Sequence, residues 1–188
     1  MCTLATQQWA SVSFNDVALA FLQAEWNKLA PLAWLDRGLI EQPDLRSPLE
    51  NAARLSLLMG NRRELLTPLP TSTAWFRVAF LKQEHLPQLR VIGGCGFRGT
   101  ELGHVLTDVA ARVPRALRAE PEAWAPLVLW GHERHAPLTI LEGNNRLIAY
   151  AASRPRPLLS VECYVGLSND HCQWHSVDTD GAPNTRAD

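Results

Sequence analysis

The sequence predicts an α+β fold, in which helices and strands are mixed without the regular alternation of a parallel α/β protein. The first third of the chain carries helix caps and apolar residues at helical spacing, and short apolar and aromatic runs follow it. Of the 188 residues 46% are hydrophobic and 20% charged, a globular composition. We therefore expect a helical N-terminal extension over residues 1–65, an α+β domain over residues 66–176 and a flexible tail over residues 177–188.

Two capping patterns predict the helices of the extension. Ser13 or Asn15 is predicted to cap a helix whose apolar residues recur at helical spacing, and Pro31 ends or interrupts it. Residues 47–50, Ser-Pro-Leu-Glu, combine a serine cap, a proline in the first turn and a glutamate three residues after the cap. Gly60 is predicted to end this second helix. The extension is therefore expected to be all-helical.

Short apolar and aromatic runs predict the strands of the domain. The predicted strands are residues 74–81, 90–92, 127–130, 138–141 and 158–165. The third and fourth of these are separated by a turn near Gly131–Pro137, which predicts a β-hairpin. Thr100 is predicted to cap one helix, and Asn144 is predicted to begin another.

Charge and cysteine usage exclude several classes of protein. The 18 basic and 19 acidic residues leave a net charge of −1, which argues against a nucleic-acid partner. No apolar run approaches the ~20 residues that a membrane span needs, so no membrane contact is expected. The first basic residue is Lys28, unlike a secretory signal or a transit peptide. Four scattered cysteines without a CxxC pair predict free thiols and a cytoplasmic location.

The most informative stretch is residues 138–150, where an apolar strand ends in Glu142-Gly143 and a helix begins at once. Gly143 has no Cβ, so another group can approach its backbone closely. The free N–H groups of the first helical turn suit a phosphate, to which Arg146 can present a planar fork of donors. Glu142 can hold Mg²⁺ or accept a proton from an attacking hydroxyl. The same residues also fit an ordinary connector in which Arg146 only pairs with Glu142.

Residues 142–149, Glu-Gly-Asn-Asn-Arg-Leu-Ile-Ala, resemble the signature loop and helix of the ParB/sulfiredoxin-like fold. Members of that fold commonly show an acidic residue followed by Gly-x-x-Arg-x-x-Ala, and the resemblance covers roughly residues 126–166. It implies a small mixed sheet with flanking helices and a bound nucleotide. It also implies that the phosphates are held by four residues of the loop, namely Gly143, Asn144, Asn145 and Arg146, with Glu142 as general base or Mg²⁺ ligand.

The members of that fold differ in chemistry, and this chain departs from each type. Sulfiredoxins use a loop cysteine where this chain has Asn144, so sulfiredoxin activity is not expected. Chromosome-partitioning members bind CTP and usually carry charged residues at the two middle positions, which are both asparagine here. Free-serine kinases use an acidic residue as general base, a role that Glu142 matches, but their usual histidine is replaced by Asn145. The resemblance therefore supports nucleotide or phosphate binding more strongly than any one reaction.

A second glycine-rich loop competes with this motif. Gly94, Gly96 and Gly99 form a G-x-G-x-x-G pattern between a predicted strand and a predicted helix, which resembles the first turn of short-chain dehydrogenases. No strand with an acidic ribose ligand follows, and no lysine occurs after Lys82, so NAD binding is not favoured. The loop is interpreted either as a second phosphate contact with Arg98 as donor or as a surface turn.

A further candidate is a metal site in the run from His171 to His175. Its three possible ligands, His171, Cys172 and His175, lie within five residues. A structural zinc site needs a fourth ligand, for which Cys163 or Asp178 is available. Packing of this segment on the sheet is the alternative interpretation.

The function predicted from the sequence is therefore nucleotide or phosphate binding. The candidate reactions are phosphoryl transfer to a small molecule and nucleotide hydrolysis, with Glu142 as the catalytic residue. One alternative is a non-catalytic module that senses a ligand or binds a partner, and another is a DNA-associated accessory protein or nuclease. Neither the substrate nor the oligomeric state follows from any pattern in the chain.

Overall fold

The computed structural model describes residues 8–29, 32, 35–78, 89–91, 100–101, 125–134, 137–147, 161–170 and 172. The helices are α1 (Phe14–Ala24), α2 (Trp26–Leu29), α3 (Gly38–Glu41) and α4 (Pro48–Leu66). The strands are β1 (Trp9–Val12), β2 (Ala74–Val78), β3 (Leu89–Val91), β4 (Thr100–Glu101), β5 (Leu127–Gly131), β6 (Leu138–Glu142) and β7 (Cys163–Leu167). Residues 144–147 are also helical. None of the helices in these ranges combines the length and the apolarity needed to cross a membrane.

The strands of the described residues form one mixed sheet in the order β1-β2-β7-β5-β6-β3-β4. At its centre β5 and β7 run parallel, and each has an antiparallel neighbour on its other side. The β3 strand is parallel to β6 and antiparallel to β4. This combination of helices with a mixed sheet confirms the predicted α+β class.

The predicted hairpin is formed by β5 and β6. All five residues of β5 are buried, and β6 is buried up to its last residue, Glu142. Continuous apolar runs of this kind are typical of strands that are covered on both faces. The antiparallel register pairs Leu129 with Ile140 and Trp130 with Thr139.

The N-terminal extension differs from the prediction, because it is not all-helical. Trp9–Val12 form β1, which pairs with β2 in an unbroken antiparallel register. The following helix, α1, buries Phe21 and Leu22 in the same hydrophobic cluster as Trp75 and Trp130. Residues on both sides of the predicted boundary at 65/66 therefore share one core.

The second predicted helix also runs further than expected. Gly60 does not end α4, which continues to Leu66 and buries that side chain. The helical path is irregular at Arg62, where φ is −134° and ψ is 24°. Arg62 forms an ion pair with Glu25, a buried carboxylate at the end of α1. Burial of Leu66 and the ion pair explain why the glycine stop signal was wrong.

Two further predictions were wrong in detail. Thr100 does not cap a helix, because it pairs with Val91 in the short strand β4. The last strand begins at Cys163 rather than at residue 158, and Val161 precedes it as non-strand chain. The remaining parts of the predictions lie outside the described residues, namely residues 79–81, 92, 102–110, 148–160 and the tail 177–188.

Arg54 holds the loop before α4 against the helix, and its side chain is only 1% exposed. Its Nη1 donates to the carbonyl oxygen of Leu39 and to the carboxylate of Glu50, both at 3.0 Å. Its Nη2 donates to the carbonyl oxygen of Asp44 at 2.8 Å and to Asn51 Oδ1 at 2.6 Å. The guanidinium thus binds a carbonyl oxygen of α3, a carbonyl oxygen of the following loop and two side chains of α4, so its role is structural.

We predict that Arg54→Met lowers the free energy of unfolding by about 3 kcal/mol, because the carbonyl oxygens of Leu39 and Asp44 and the partly buried Glu50 carboxylate each lose a hydrogen bond from a buried guanidinium. Urea denaturation followed by circular dichroism measures the change. The control is Arg46→Met, at an exposed position of the same loop, for which we expect a change below about 0.5 kcal/mol. Equal midpoints for the two variants would contradict this role of Arg54.

Candidate functional site: the corner at residues 142–146

The predicted phosphate site lies where β6 passes into the helical residues 144–147, and we refer to residues 142–146 as the corner. Gly143 turns the chain with a φ of 104°, a conformation that favours glycine. The Leu147 N–H donates to the Gly143 carbonyl oxygen at 3.0 Å and closes the first turn. Asn144 Nδ2 donates back to the Ile140 carbonyl oxygen at 3.1 Å. The expected succession of strand, glycine turn and helix is therefore present.

The space left by the missing Cβ of Gly143 is occupied by the protein itself. A Cβ at this position would lie 2.2 Å from Leu127 Cδ2 and 3.3 Å from Arg146 Nη2. Leu127 is fully buried at the start of β5. The group that approaches the Gly143 backbone closely on this side is therefore the Leu127 side chain, and a phosphate contact of Gly143 stays a prediction.

Arg146 connects the corner to the chain before β5. Its Nη1 donates to the carbonyl oxygen of Ala125, and its Nη2 donates to Glu142 Oε1 at 3.4 Å. Burial lowers the pKa of Arg146 from its ordinary value, and the neighbouring Glu142 carboxylate opposes that shift. The pairing with Glu142, which the sequence left open as an alternative, is present in the structure.

The Glu142–Arg146 contact is loose and partly open to solvent. At 3.4 Å it is longer than most hydrogen bonds between a guanidinium and a carboxylate. The Glu142 side chain is 18% exposed and that of Arg146 is 17% exposed. Both charged groups can therefore be reached from outside without unfolding the corner.

The two asparagines of the corner have different surroundings. Asn144 Oδ1 is buried and accepts no hydrogen bond from the described residues, although its amide nitrogen is bonded. Asn145 is exposed on the first helical turn. The corner thus combines a carboxylate, a guanidinium, an unpaired amide oxygen and an exposed amide side chain.

This arrangement suits a phosphate that carries a cation better than a bare anion. An anion without a cation would be repelled at Arg146, because the negatively charged Glu142 carboxylate lies beside the guanidinium. A divalent cation such as Mg²⁺ prefers carboxylate oxygens and phosphate oxygens as ligands. A guanidinium such as that of Arg146 in turn matches phosphate oxygens as a hydrogen-bond donor.

Most of the other sequence candidates fall on residues that the structure does not describe. Arg98 and the rest of the glycine loop at 93–99 lie outside them, as do His171 and His175. Cys172 is fully buried in the hydrophobic cluster. Across the described ranges, no group of three or more histidine, cysteine, aspartate or glutamate side chains is arranged to hold a metal ion.

A polar cluster that no sequence pattern predicts lies at the carboxyl ends of β5 and β7, and we call it the Ser72–Asp170 clasp. Ser72 Oγ lies 2.5 Å from Asp170 Oδ2 and 2.7 Å from Ser168 Oγ, which in turn accepts from the Asp170 N–H at 3.1 Å. His132 Nδ1 lies 2.9 Å from the Ser168 carbonyl oxygen. These hydrogen bonds close on one another, so the clasp ties the turn before β2 to the end of β7. No spacing signals it, because Ser72 and Asp170 are 98 positions apart.

Comparison of the chain with protein-family models, with curated proteins and with solved structures finds no match. The interpretation of the corner therefore depends on its own residues and contacts.

We predict opposite effects for two glycine substitutions. Gly143→Ala should lower the free energy of unfolding by about 2–4 kcal/mol, because it combines a positive φ with a clash against Leu127. Gly60→Ala should raise it by about 0.5–1 kcal/mol, because that glycine lies in α4 with no atom within 4 Å of the added Cβ. Urea denaturation of both variants tests the pair. A neutral Gly143→Ala would show that the corner tolerates a side chain there.

We also predict a loss of stability at alkaline pH from Cys163. Burial, and to a lesser degree the neighbouring Glu162, raise the pKa of this thiol from 9.0 to about 12. The unfolded chain therefore loses its thiol proton first, so the stabilisation is complete below pH 9.0 and is lost as the pH rises toward about 12. The expected slope is at most about 1.4 kcal/mol per pH unit. The stability difference between the parent and Cys163→Ala should shrink over this range, and a constant difference would exclude the effect.

Proposed function

We propose that this chain binds a nucleotide or another phosphate ligand together with Mg²⁺ at the corner. The supporting observation is the loose contact between Glu142 and Arg146, each partly exposed, at the start of a helical turn. In a complex of Mg²⁺ with a phosphate, the carboxylate can bind the cation and the guanidinium can donate hydrogen bonds to the phosphate oxygens.

In this proposal each residue of the corner has a role. Glu142 holds Mg²⁺ or accepts a proton from the attacking group. Arg146, steadied at Nη1 by the Ala125 carbonyl oxygen, turns Nη2 from Glu142 to the phosphate. Asn144 and Asn145 begin the first helical turn, whose positive end suits a phosphate. Gly143 supplies the positive φ that lets the strand turn into the helix.

The resemblance of the corner to the ParB/sulfiredoxin-like fold supports a nucleotide over free phosphate. We propose that fold for the domain, with the hairpin of β5 and β6 leading into the loop as the resemblance implies. Because Asn144 stands where sulfiredoxins have cysteine, the candidate reactions are phosphoryl transfer to a small molecule and nucleotide hydrolysis. Arg98 is proposed as an additional donor on the basis of its sequence position alone. The scattered cysteines support a cytoplasmic location.

The second candidate function is a binding module without turnover, which senses a ligand or recruits a partner. One observation that favours it is the position of Arg146, whose Nη1 is bonded to a backbone carbonyl oxygen. Another is asparagine at position 145, where the free-serine kinases of the ParB/sulfiredoxin-like fold usually have histidine. Binding without any release of phosphate would select this function.

We predict that ATP or CTP with MgCl₂ raises the melting temperature, because a ligand of the folded state stabilises it by mass action. Asn145→Asp should abolish the rise, since it adds a negative charge at an exposed position beside the phosphates. The matched control is Asn169→Asp, the same change at an exposed position after β7, which should keep it. Differential scanning fluorimetry gives the readout. Absence of a shift with every nucleotide, or equal loss in both variants, would contradict binding at the corner.

Glu142→Gln separates the two functions once binding is observed. If Glu142 is the base or Mg²⁺ ligand of a reaction, this variant loses phosphate release while much of the nucleotide binding remains. Phosphate release by the parent chain that survives in Glu142→Gln would exclude the catalytic role.

A further inference from the structure

A feature independent of the corner is the outer edge of the sheet at β1. Among the described strands β1 is terminal, and its register with β2 runs through four pairs without a bulge. Ala10 and Ser11 are exposed. Within the described part of the chain, Ala10, Ser11 and Val12 make no hydrogen bonds beyond their pairing with β2.

Edge strands in natural proteins are usually guarded against added strands. Charged side chains, proline and bulges are the common devices, because each interferes with pairing along the free edge. The β1 sequence Trp-Ala-Ser-Val contains no charged residue and no proline. Within the described part of the chain, the backbone of Ala10, Ser11 and Val12 is therefore open to pairing with another extended segment.

Arg134 supplies a positive charge beside this edge. Its guanidinium carbon lies 4.7 Å from the centre of the Trp9 ring and 5.3 Å from that of Phe76, and the two rings meet edge to face. Arg134 is exposed, and among the described residues it has no hydrogen bond or ion pair, not even with the adjacent Glu133. The rings thus hold the guanidinium in place while its N–H donors stay available.

We propose that β1 and Arg134 form a docking site for an extended peptide with carboxylate side chains, which adds to the sheet as a strand alongside β1. The peptide backbone pairs with the outward N–H and carbonyl groups of β1. A carboxylate of the peptide accepts two hydrogen bonds from the Arg134 fork. Because the aromatic rings already restrict Arg134, little side-chain freedom is lost on binding.

The charges near the edge favour this partner over a second copy of the chain. Pairing of β1 with β1 of another copy would bring together strands that contain no acidic residue, so that strand would offer Arg134 no carboxylate. A basic peptide would be repelled by Arg134. The side chains of β1 itself are neutral, so the cation that a bound peptide meets at this strand is Arg134.

The test uses a fluorescein-labelled peptide of alternating threonine and glutamate, with a threonine–lysine peptide as its counterpart, and measures anisotropy. We expect the acidic peptide to bind and the basic one not to bind. Arg134→Gln and Ser11→Glu should each weaken binding at least tenfold, the first by removing the cation and the second by placing a carboxylate on the edge. Arg46→Gln makes the same charge change at an exposed position in the loop before α4 and should leave binding unchanged.

The location of binding is read from amide shifts in ¹⁵N spectra, which should change at residues 9–12 and not at 142–146. This separates the docking site from the proposed function of the corner. Absence of binding, equal binding of the two peptides, or full binding by both edge variants would overturn the proposal. A dimer in sedimentation experiments that is lost in Ser11→Glu would assign the edge to a second copy instead.

Discussion

Burial of the parallel strands β5 and β7 is the constraint on which the rest of the described structure depends. All five residues of β5 are buried, so both of its faces must be covered. One face is covered by α1, which shares a hydrophobic cluster with Val128 and Trp130. Because β6 runs antiparallel to β5, the end of β6 must lie beside the start of β5. This places Leu127 against Gly143 and the Ala125 carbonyl against Arg146.

The same constraint explains why the N-terminal segment belongs to the core. The apolar face of α1 covers the sheet, while α4 packs against α1 and carries the buried Arg54. The ion pair of Glu25 with Arg62 then joins the end of α1 to the irregular point of α4. Each buried charge in this layer is matched by an opposite charge or by carbonyl oxygens, as burial requires.

Local signals explain what the sequence could predict. The hairpin and the corner have apolar runs, a glycine and a helix-capping asparagine within a few positions, so their order is visible in the chain. The strands β1 and β4 have only four and two residues, which is too short for a local pattern to mark them, and β1 also pairs with a strand that is distant in the chain. The contact of Arg146 with Ala125 spans 21 positions and depends on the hairpin register, which a motif does not encode. The stop signal at Gly60 was overridden by burial of Leu66 beyond it.

The position of β7 in the sheet has a consequence for synthesis of the chain. The last described strand in the sequence lies between β2 on one side and β5 on the other, so it alone joins β1 and β2 to the other four strands. While a ribosome is still translating the segment before Cys163, the two halves of the sheet have no strand that connects them. The edges of β2 and β5 that β7 pairs with are then unpaired in the nascent chain, and unpaired edges of this kind favour premature association until β7 inserts.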